Sequence, residues 1–131
     1  MGGRWNSKGI RAVYASIDPS TAIMEVAAHK GFKALDTATH ILTSARLIDL
    51  SQVHVVNPDD LPNPNWLVPG SHGPGQQAFG DQLLKEHVFC LVPSTVSRYS
   101  WNLIFDADRG EGQYEDIRQE RFALDPRLHT K

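Results

Sequence analysis

Three side chains near the start of the chain carry groups that together bind an anionic ligand with a sugar. Arg4 lies in a glycine-rich turn, Tyr14 follows in a short apolar segment, and Glu25 comes after the breaker at residues 18–20. A guanidinium binds phosphate, an aromatic ring stacks on a flat or sugar ring, and a carboxylate faces positive charge or hydroxyl groups. If the chain folds back between these segments, the three groups meet in one place.

A strand and a helix are predicted to position these residues. Residues 11–16 favour a short strand, because β-branched and aromatic residues precede the breaker Asp18-Pro19. Asp18 suits the N-cap of a helix, and Pro19 suits its first position, where a missing N–H costs nothing. The helix is predicted to run to about His29 and to end at Gly31.

Glu25 occupies a border position on this helix. The apolar residues recur at helical spacing and form one packed stripe: Ala22, Ile23, Val26 and Ala27. A carboxylate beside that stripe can reach into a cleft, and a solvated glutamate satisfies the same pattern. The periodicity alone leaves both interpretations open.

The remainder of the chain predicts short strands and one more helix. Residues 32–44 are ambiguous and lean towards a strand or an irregular crossing, because they contain several threonines. The other predicted elements are strands at 46–50, 53–56, 87–92, 101–105 and 121–124, a helix at 76–85, a turn at 57–60 and an acidic loop at 106–112. Strands interleaved with two short helices predict an α+β domain with small mixed or antiparallel sheets, without the regular β-α-β order of a parallel sheet.

Residues 57–75 are rich in proline and glycine and predict a long loop. Trp66 is expected to anchor that loop to the body of the domain. The run at residues 70–75 superficially resembles a phosphate-binding loop. It lacks the Gly-Lys-Ser/Thr ending, and Pro74 removes a donor N–H, so an ordinary loop is favoured.

Composition excludes several classes of protein. A chain of 131 residues forms one domain, and a net charge of −2 without any Lys/Arg run argues against direct nucleic-acid binding. No apolar run reaches the roughly 20 residues that cross a membrane. A single cysteine, Cys90, excludes an internal disulfide and fits the cytoplasm, and its apolar surroundings favour a buried small hydrophobe over a nucleophile.

Metal sites and a hydrolase triad are rejected on spacing. The segment that starts at Asp106 resembles an EF-hand loop, but Ile117 takes the position of the bidentate glutamate. The six histidines show neither HxxxH nor HExxH spacing. Ser94 lies outside any GxSxG motif. No metal is therefore expected.

Taken together, several segments resemble the RES-domain family, which is named for an arginine, a glutamate and a serine. The likeness covers nearly the whole chain, and Gly-Gly-Arg-Trp-Asn at residues 2–6 is a specific signal. It continues through Tyr14 and residues 22–25, 61–66, 91–94, 102–104 and 122–128. The family's three name-giving residues fall on Arg4, Glu25 and Ser94.

The resemblance implies a fold similar to the ADP-ribosyltransferases of the diphtheria-toxin type and a role as the toxin of a RES–Xre toxin–antitoxin pair. It implies cleavage of the nicotinamide glycosidic bond of NAD⁺ by hydrolysis or phosphorolysis, with NAD⁺ as substrate and no separate cofactor. The implied partner is an Xre-like antitoxin that obstructs the cleft. Pairing into a homodimer is expected as well, since family members commonly pair.

The residues of this chain suit that reaction. Glu25 would stabilise the positive charge that develops on the ribose, and Arg4 would clamp the pyrophosphate. Tyr14 would stack on the nicotinamide or its ribose, and Ser94 would donate a hydrogen bond to the ribose or the amide. Asn102 is a further candidate for positioning the ligand or a loop.

Two alternatives stay open beside NAD⁺ degradation. One is ADP-ribosyl transfer to a protein, and the other is a truncated, inactive domain that only binds the antitoxin. The truncated reading arises because family members usually carry an N-terminal segment, including a strand, before the block matched by residues 2–6. By that comparison the chain is expected to be N-terminally short.

Overall fold

The computed structural model describes residues 3–61, 74–97, 99–123, 125 and 127. The predicted anchor Trp66 and residues 70–73 lie outside this set. The described strands are β1 (Ala12–Ser16), β2 (His40–Leu47), β3 (Val53–Val55), β4 (Phe89–Pro93), β5 (Trp101–Asp106) and β6 (Tyr114–Phe122). The described helices are α1 (Pro19–Lys30), α2 (Phe32–Thr37), α3 (Pro74–Glu86) and α4 (Ala107–Gly110).

The main sheet has four strands in the order β1-β5-β4-β3. β5 runs antiparallel to both of its neighbours, and it forms with β4 the hairpin that the sequence predicts. β3 runs parallel to β4, and α3 lies between them in the chain. One β-α-β unit is therefore present, although the sequence predicted none. Parallel neighbouring strands need such a crossover connection. The sequence did not indicate this one, because a proline-rich segment separates the residues of β3 from those of α3.

The hydrophobic core lies between α3 and the main sheet. Leu83 and Leu84 of α3 pack against buried side chains of the two central strands: Cys90, Val92 and Ile104. These two strands are the most apolar in the sequence, as expected for the centre of a sheet. Cys90 is fully buried, and burial raises the pKa of its thiol to about 12. It is a core residue, as the sequence predicted.

The N-terminal turn also belongs to this core. Trp5 is only 3% exposed and packs in the same cluster. Its backbone carbonyl lies so close to Gly80 of α3 that a side chain at position 80 would collide with it. The absence of a Cβ at Gly80 therefore allows the turn to lie directly on α3.

Three polar contacts fix the turn on α3. Gln77 Nε2 donates to the Gly3 carbonyl at 2.9 Å. The backbone N–H and the hydroxyl of Ser7 donate to the two carboxylate oxygens of Asp81, at 2.8 and 2.6 Å. Arg4 lies between two anchored residues, so its backbone is held in place.

Helix α1 follows its sequence signals. The Asp18 carboxylate accepts from the Thr21 backbone N–H at 2.8 Å, and Pro19 is the first helical residue. Gly31 ends the helix with φ of 81°, a backbone conformation that favours glycine. The predicted helix, its cap and its end are confirmed.

For residues 32–44 the sequence leaned towards a strand or an irregular crossing. Residues 40–44 do lie in β2, but for residues 32–37 the expectation was wrong. These residues form the short helix α2 after the bend at Gly31, and Leu35 is buried on it. Thr37 is accommodated because its hydroxyl donates to the Lys33 carbonyl at 2.8 Å, one turn earlier. Burial of one apolar residue thus outweighs the local preference of the threonines.

Among the described strands, β2 and β6 form a second sheet, paired antiparallel with an irregularity between Ser44 and Arg46. Most residues of β6 are exposed, so its sequence lacks the apolar alternation of a half-buried strand. For that reason the sequence predicted a strand only at residues 121–124. The predicted strand at 46–50 ends at Leu47, and the acidic loop at 106–112 contains the one-turn helix α4 capped by Asp106.

The α+β class with small sheets and short helices is confirmed. Among the described residues, no helix combines the length and the apolar character needed to cross a membrane. The main sheet and α3 pack together. The N-terminal turn and α1 lie near β1, an edge strand of that sheet.

Substitution of Gly80 by alanine tests the contact between the turn and α3. The added methyl group would collide with the Trp5 backbone, so the free energy of unfolding should fall by about 1–3 kcal/mol, the usual cost of overpacking. Urea denaturation of Gly80→Ala measures this change.

Gly75 provides a matched control on the same helix, because a Cβ there would meet no atom within 4 Å. Gly75→Ala should leave stability unchanged or raise it by up to about 1 kcal/mol. Equal stability of the two variants would show that the turn does not lie against Gly80.

A stacked histidine pair makes stability depend on pH. The rings of His54 and His87 lie parallel with centroids 4.0 Å apart. Burial, and secondarily the charge of His54, lower the pKa of His87, while Glu86 opposes the shift and Arg109 adds to it. As pH falls, the unfolded chain therefore binds a proton at this position before the folded chain does.

The free energy of unfolding should consequently decrease between about pH 7 and pH 5, as the histidine of the unfolded chain titrates. In His87→Gln this decrease should be shallower, and in the control Gly75→Ala, which changes no titratable group, it should keep the parent slope. Chemical denaturation at a series of pH values measures the slopes. A slope in His87→Gln as steep as in the parent would contradict the assignment.

Candidate functional site

The Glu25 carboxylate is the centre of the site. It projects from α1, and its side chain is 22% exposed. Its Oε1 atom accepts two hydrogen bonds, from Ser94 Oγ at 2.6 Å and from Asn102 Nδ2 at 2.7 Å. The solvated glutamate that the helix periodicity allowed is thereby excluded, because this carboxylate is bound to the sheet.

The β4–β5 hairpin delivers both donors. Ser94 directly follows β4 and is fully buried, and its backbone N–H donates to the Ser100 carbonyl at 2.9 Å across the hairpin. Asn102 lies in β5, opposite Val92 of β4. The loop between the strands is also held, since the Val96 N–H donates to Ser94 Oγ at 3.2 Å. The register of this hairpin therefore determines the position of the carboxylate.

Ser16, which the sequence analysis did not identify, orients Asn102. It lies opposite Asn102 in the β1–β5 pair, and its hydroxyl donates to Asn102 Oδ1 at 2.7 Å. With Oδ1 accepting this bond, the amide nitrogen faces Glu25. No local sequence signal marks Ser16, because its role depends on the register of β1 against β5.

Tyr14 connects β1 to the N-terminal turn. Its hydroxyl donates to Asn6 Oδ1 at 2.6 Å and accepts from the Trp5 N–H at 3.0 Å. Desolvation, as the largest effect, raises the pKa of this hydroxyl. The residue as a whole remains 44% exposed, so its ring is accessible while its hydroxyl is engaged. Gly3 packs against Tyr14 so closely that a Cβ at position 3 would collide with the Tyr14 hydroxyl.

Arg4 lies in the same turn and is half-buried. Desolvation lowers the pKa of its guanidinium, and the nearby Glu25 and Tyr14 oppose that shift. The group still carries its positive charge at neutral pH, since an arginine loses its proton only under strongly basic conditions. A cation, an accessible ring and a carboxylate therefore share one electrostatic environment.

His29 is a second residue that the sequence analysis did not identify at the site. It lies one helical turn after Glu25, and its Nε2 atom is 3.9 Å from Glu25 Oε2. The spacing of four residues on a predicted helix was a usable signal, because such residues share one face.

The structure brings Glu25 into direct contact with Ser94 and Asn102, and it places Arg4 where the charges of Glu25 and Tyr14 act on it. Ser94 and Asn102 donate hydrogen bonds to Glu25. Their contact with a ligand stays a prediction. Within the described part of the chain, no group of three or more His, Cys, Asp or Glu side chains is placed to hold a metal ion.

This chain belongs to the RES domain family, whose sequence model matches residues 1–125. The resemblance found in the sequence is confirmed. Two curated relatives are similar over nearly the whole of this chain and over most of their own length. Toxin Res of Pseudomonas putida is 27% identical over 132 residues, covering 98% of this chain and 86% of the relative. Toxin Res of Yersinia enterocolitica is 28% identical over 130 residues, covering 97% and 84%.

Removal of the Tyr14 hydroxyl tests whether it holds the turn that carries Arg4. Tyr14→Phe leaves the Trp5 N–H without its acceptor and should lower the free energy of unfolding by about 1–3 kcal/mol. Thermal or urea denaturation measures the loss. The control is Tyr99→Phe, because Tyr99 is 93% exposed and should tolerate the change. If the two variants were equally stable, the hydroxyl would have no anchoring role.

Proposed function

We propose that this protein is the toxin of a toxin–antitoxin pair and that it degrades NAD⁺ by cleaving the nicotinamide–ribose bond. The observation that carries the proposal is the Glu25 carboxylate, held by two donors on one oxygen in the same environment as Arg4 and Tyr14. Membership of the RES domain family and two relatives named Toxin Res support the toxin role.

The fixed carboxylate suits the chemistry of this bond. When the glycosidic C–N bond breaks, the electron pair leaves with nicotinamide and the ribose gains oxocarbenium character. A negative group that is already oriented stabilises this charge without having to reorganise. Ser94 and Asn102 supply that orientation, since both of their bonds end on Glu25 Oε1.

Arg4 and Tyr14 would bind the remainder of the substrate. The guanidinium of Arg4 offers a planar fork that matches two phosphate oxygens, which a lysine does not. Tyr14 presents its accessible ring for stacking on the nicotinamide or its ribose, while its hydroxyl holds the turn. Loss of the Tyr14 hydroxyl should therefore affect the turn, whereas loss of the Tyr14 ring should also affect stacking on the substrate.

The proposed partner is an Xre-like antitoxin in the cytoplasm. A protein that covers the accessible ring of Tyr14 and the exposed part of Glu25 would block entry of NAD⁺ without altering the catalytic groups. A small helix-turn-helix gene next to the gene of this chain would support the pairing.

Replacement of Glu25 by glutamine tests the proposal. Incubation of the purified chain with NAD⁺ should release nicotinamide, and Glu25→Gln should slow release about a hundredfold or more, because the neutral amide no longer stabilises the charge on the ribose. Chromatographic measurement of nicotinamide gives the rates. The matched control is Glu86→Gln, which should retain parent activity. Glu86 is the last residue of α3 and precedes β4, whereas Ser94 follows β4.

The outcomes separate the alternatives. Labelled ADP-ribose on a protein band would indicate transfer to a protein. Antitoxin binding without release of nicotinamide, in vitro or on induction in cells, would leave only the binding role. Parent-like activity in Glu25→Gln would reject the carboxylate as the catalytic group.

A further inference from the structure

The second oxygen of Glu25 lies opposite a histidine. Oε1 is occupied by Ser94 and Asn102, which fixes the plane of the carboxylate. Oε2 is 3.9 Å from His29 Nε2, and the His29 side chain is 79% exposed. The spacing of four residues keeps both groups on the same face of α1. A carboxylate oxygen and an imidazole nitrogen thus border one solvent-accessible point.

We propose that Glu25 Oε2 and His29 Nε2 together bind the acceptor of the reaction, that this acceptor is water, and that His29 takes its proton. The inference rests on the proposed function, since it concerns the second half of the same bond cleavage. It selects hydrolysis over phosphorolysis.

The separation of the two atoms fits a bridging molecule. At 3.9 Å they are too far apart for a direct hydrogen bond, whose usual length is about 2.7–3.2 Å. One oxygen atom at about 2.8 Å from each can bridge them with an angle near a right angle. The exposure of His29 gives solvent direct access to that point.

The hydrogen-bonding capacity of the two atoms selects the acceptor. A carboxylate oxygen accepts only. In the proposed step His29 Nε2 accepts as well, because a nitrogen that takes a proton offers its lone pair. A molecule held between them must donate to both, and water has two O–H groups. Inorganic phosphate at neutral pH carries negative charge, which the Glu25 carboxylate at this point would repel.

The step balances without any further reactant. The C–N bond to nicotinamide breaks, and its electron pair leaves on the nicotinamide nitrogen. A lone pair of the water oxygen forms the new C–O bond to the ribose carbon. The proton of that water passes to His29 Nε2 and then to solvent. The products are nicotinamide, ADP-ribose and one proton, with no change of oxidation state.

His29→Ala tests the role of the histidine in the full chain. Its kcat for nicotinamide release should fall about a hundredfold, while the KM for NAD⁺ stays within about threefold, because the imidazole acts on the acceptor and not on NAD⁺. Added imidazole should restore part of the rate, since the site is open to solvent. His40→Ala, in the other sheet, should behave as the parent chain.

The product identifies the acceptor. The parent chain should form ADP-ribose even in the presence of millimolar inorganic phosphate. A phosphorylated ADP-ribose as the main product would overturn the assignment of water but leave NAD⁺ cleavage standing. An unchanged kcat in His29→Ala, or a raised KM without rescue by imidazole, would overturn the role of His29. Absence of nicotinamide release from the parent chain would instead defeat the proposed function itself.

Discussion

The contact between Gly80 and the backbone of Trp5 is the constraint on which the site depends. Because α3 has no Cβ at this position, the N-terminal turn packs into the core, and Trp5 becomes part of it. The bonds from Gln77 and to Asp81 then fix both ends of the turn. The turn that carries Arg4 thereby gains the positional precision of the core, which binding of an anion at a defined place requires.

The carboxylate is held by a different part of the fold, and the two supports meet at Tyr14. Glu25 is bound through the β4–β5 hairpin, while Tyr14 lies on β1 beside Ser16, which orients Asn102. Strand β1 therefore has two roles. Its Ser16 orients the Asn102 amide that binds Glu25, and its Tyr14 hydroxyl holds the turn that carries Arg4. The charge of Glu25 acts on Arg4 and partly offsets the cost of burying the guanidinium.

Local signals predicted the parts of the site that depend on neighbours in the chain. Asp18, Pro19 and Gly31 mark the ends of α1, so the helix that carries Glu25 was predictable, and the family resemblance added Ser94. Ser16 and Gly80 could not be predicted, because strand register and helix packing give them their roles. Most of the exposed strand β6 and the helix α2 were missed for the same physical reason. Pairing of β6 with β2 and burial of Leu35 on α2 outweigh the local preferences of their residues. His29 carried a signal that was overlooked.

The order of the supporting residues along the chain has a consequence for synthesis. Arg4, Tyr14 and Glu25 leave the ribosome early, whereas the hairpin that orients the carboxylate is completed only after Asn102. Translation proceeds at about 5–20 residues per second, so an emerging chain spends several seconds with its charged groups present and unaligned. The site therefore forms only after β5 has been synthesised. A chain that stalls or is cleaved before β5 retains the residues of the family signature near its start but not the arrangement that gives them chemistry.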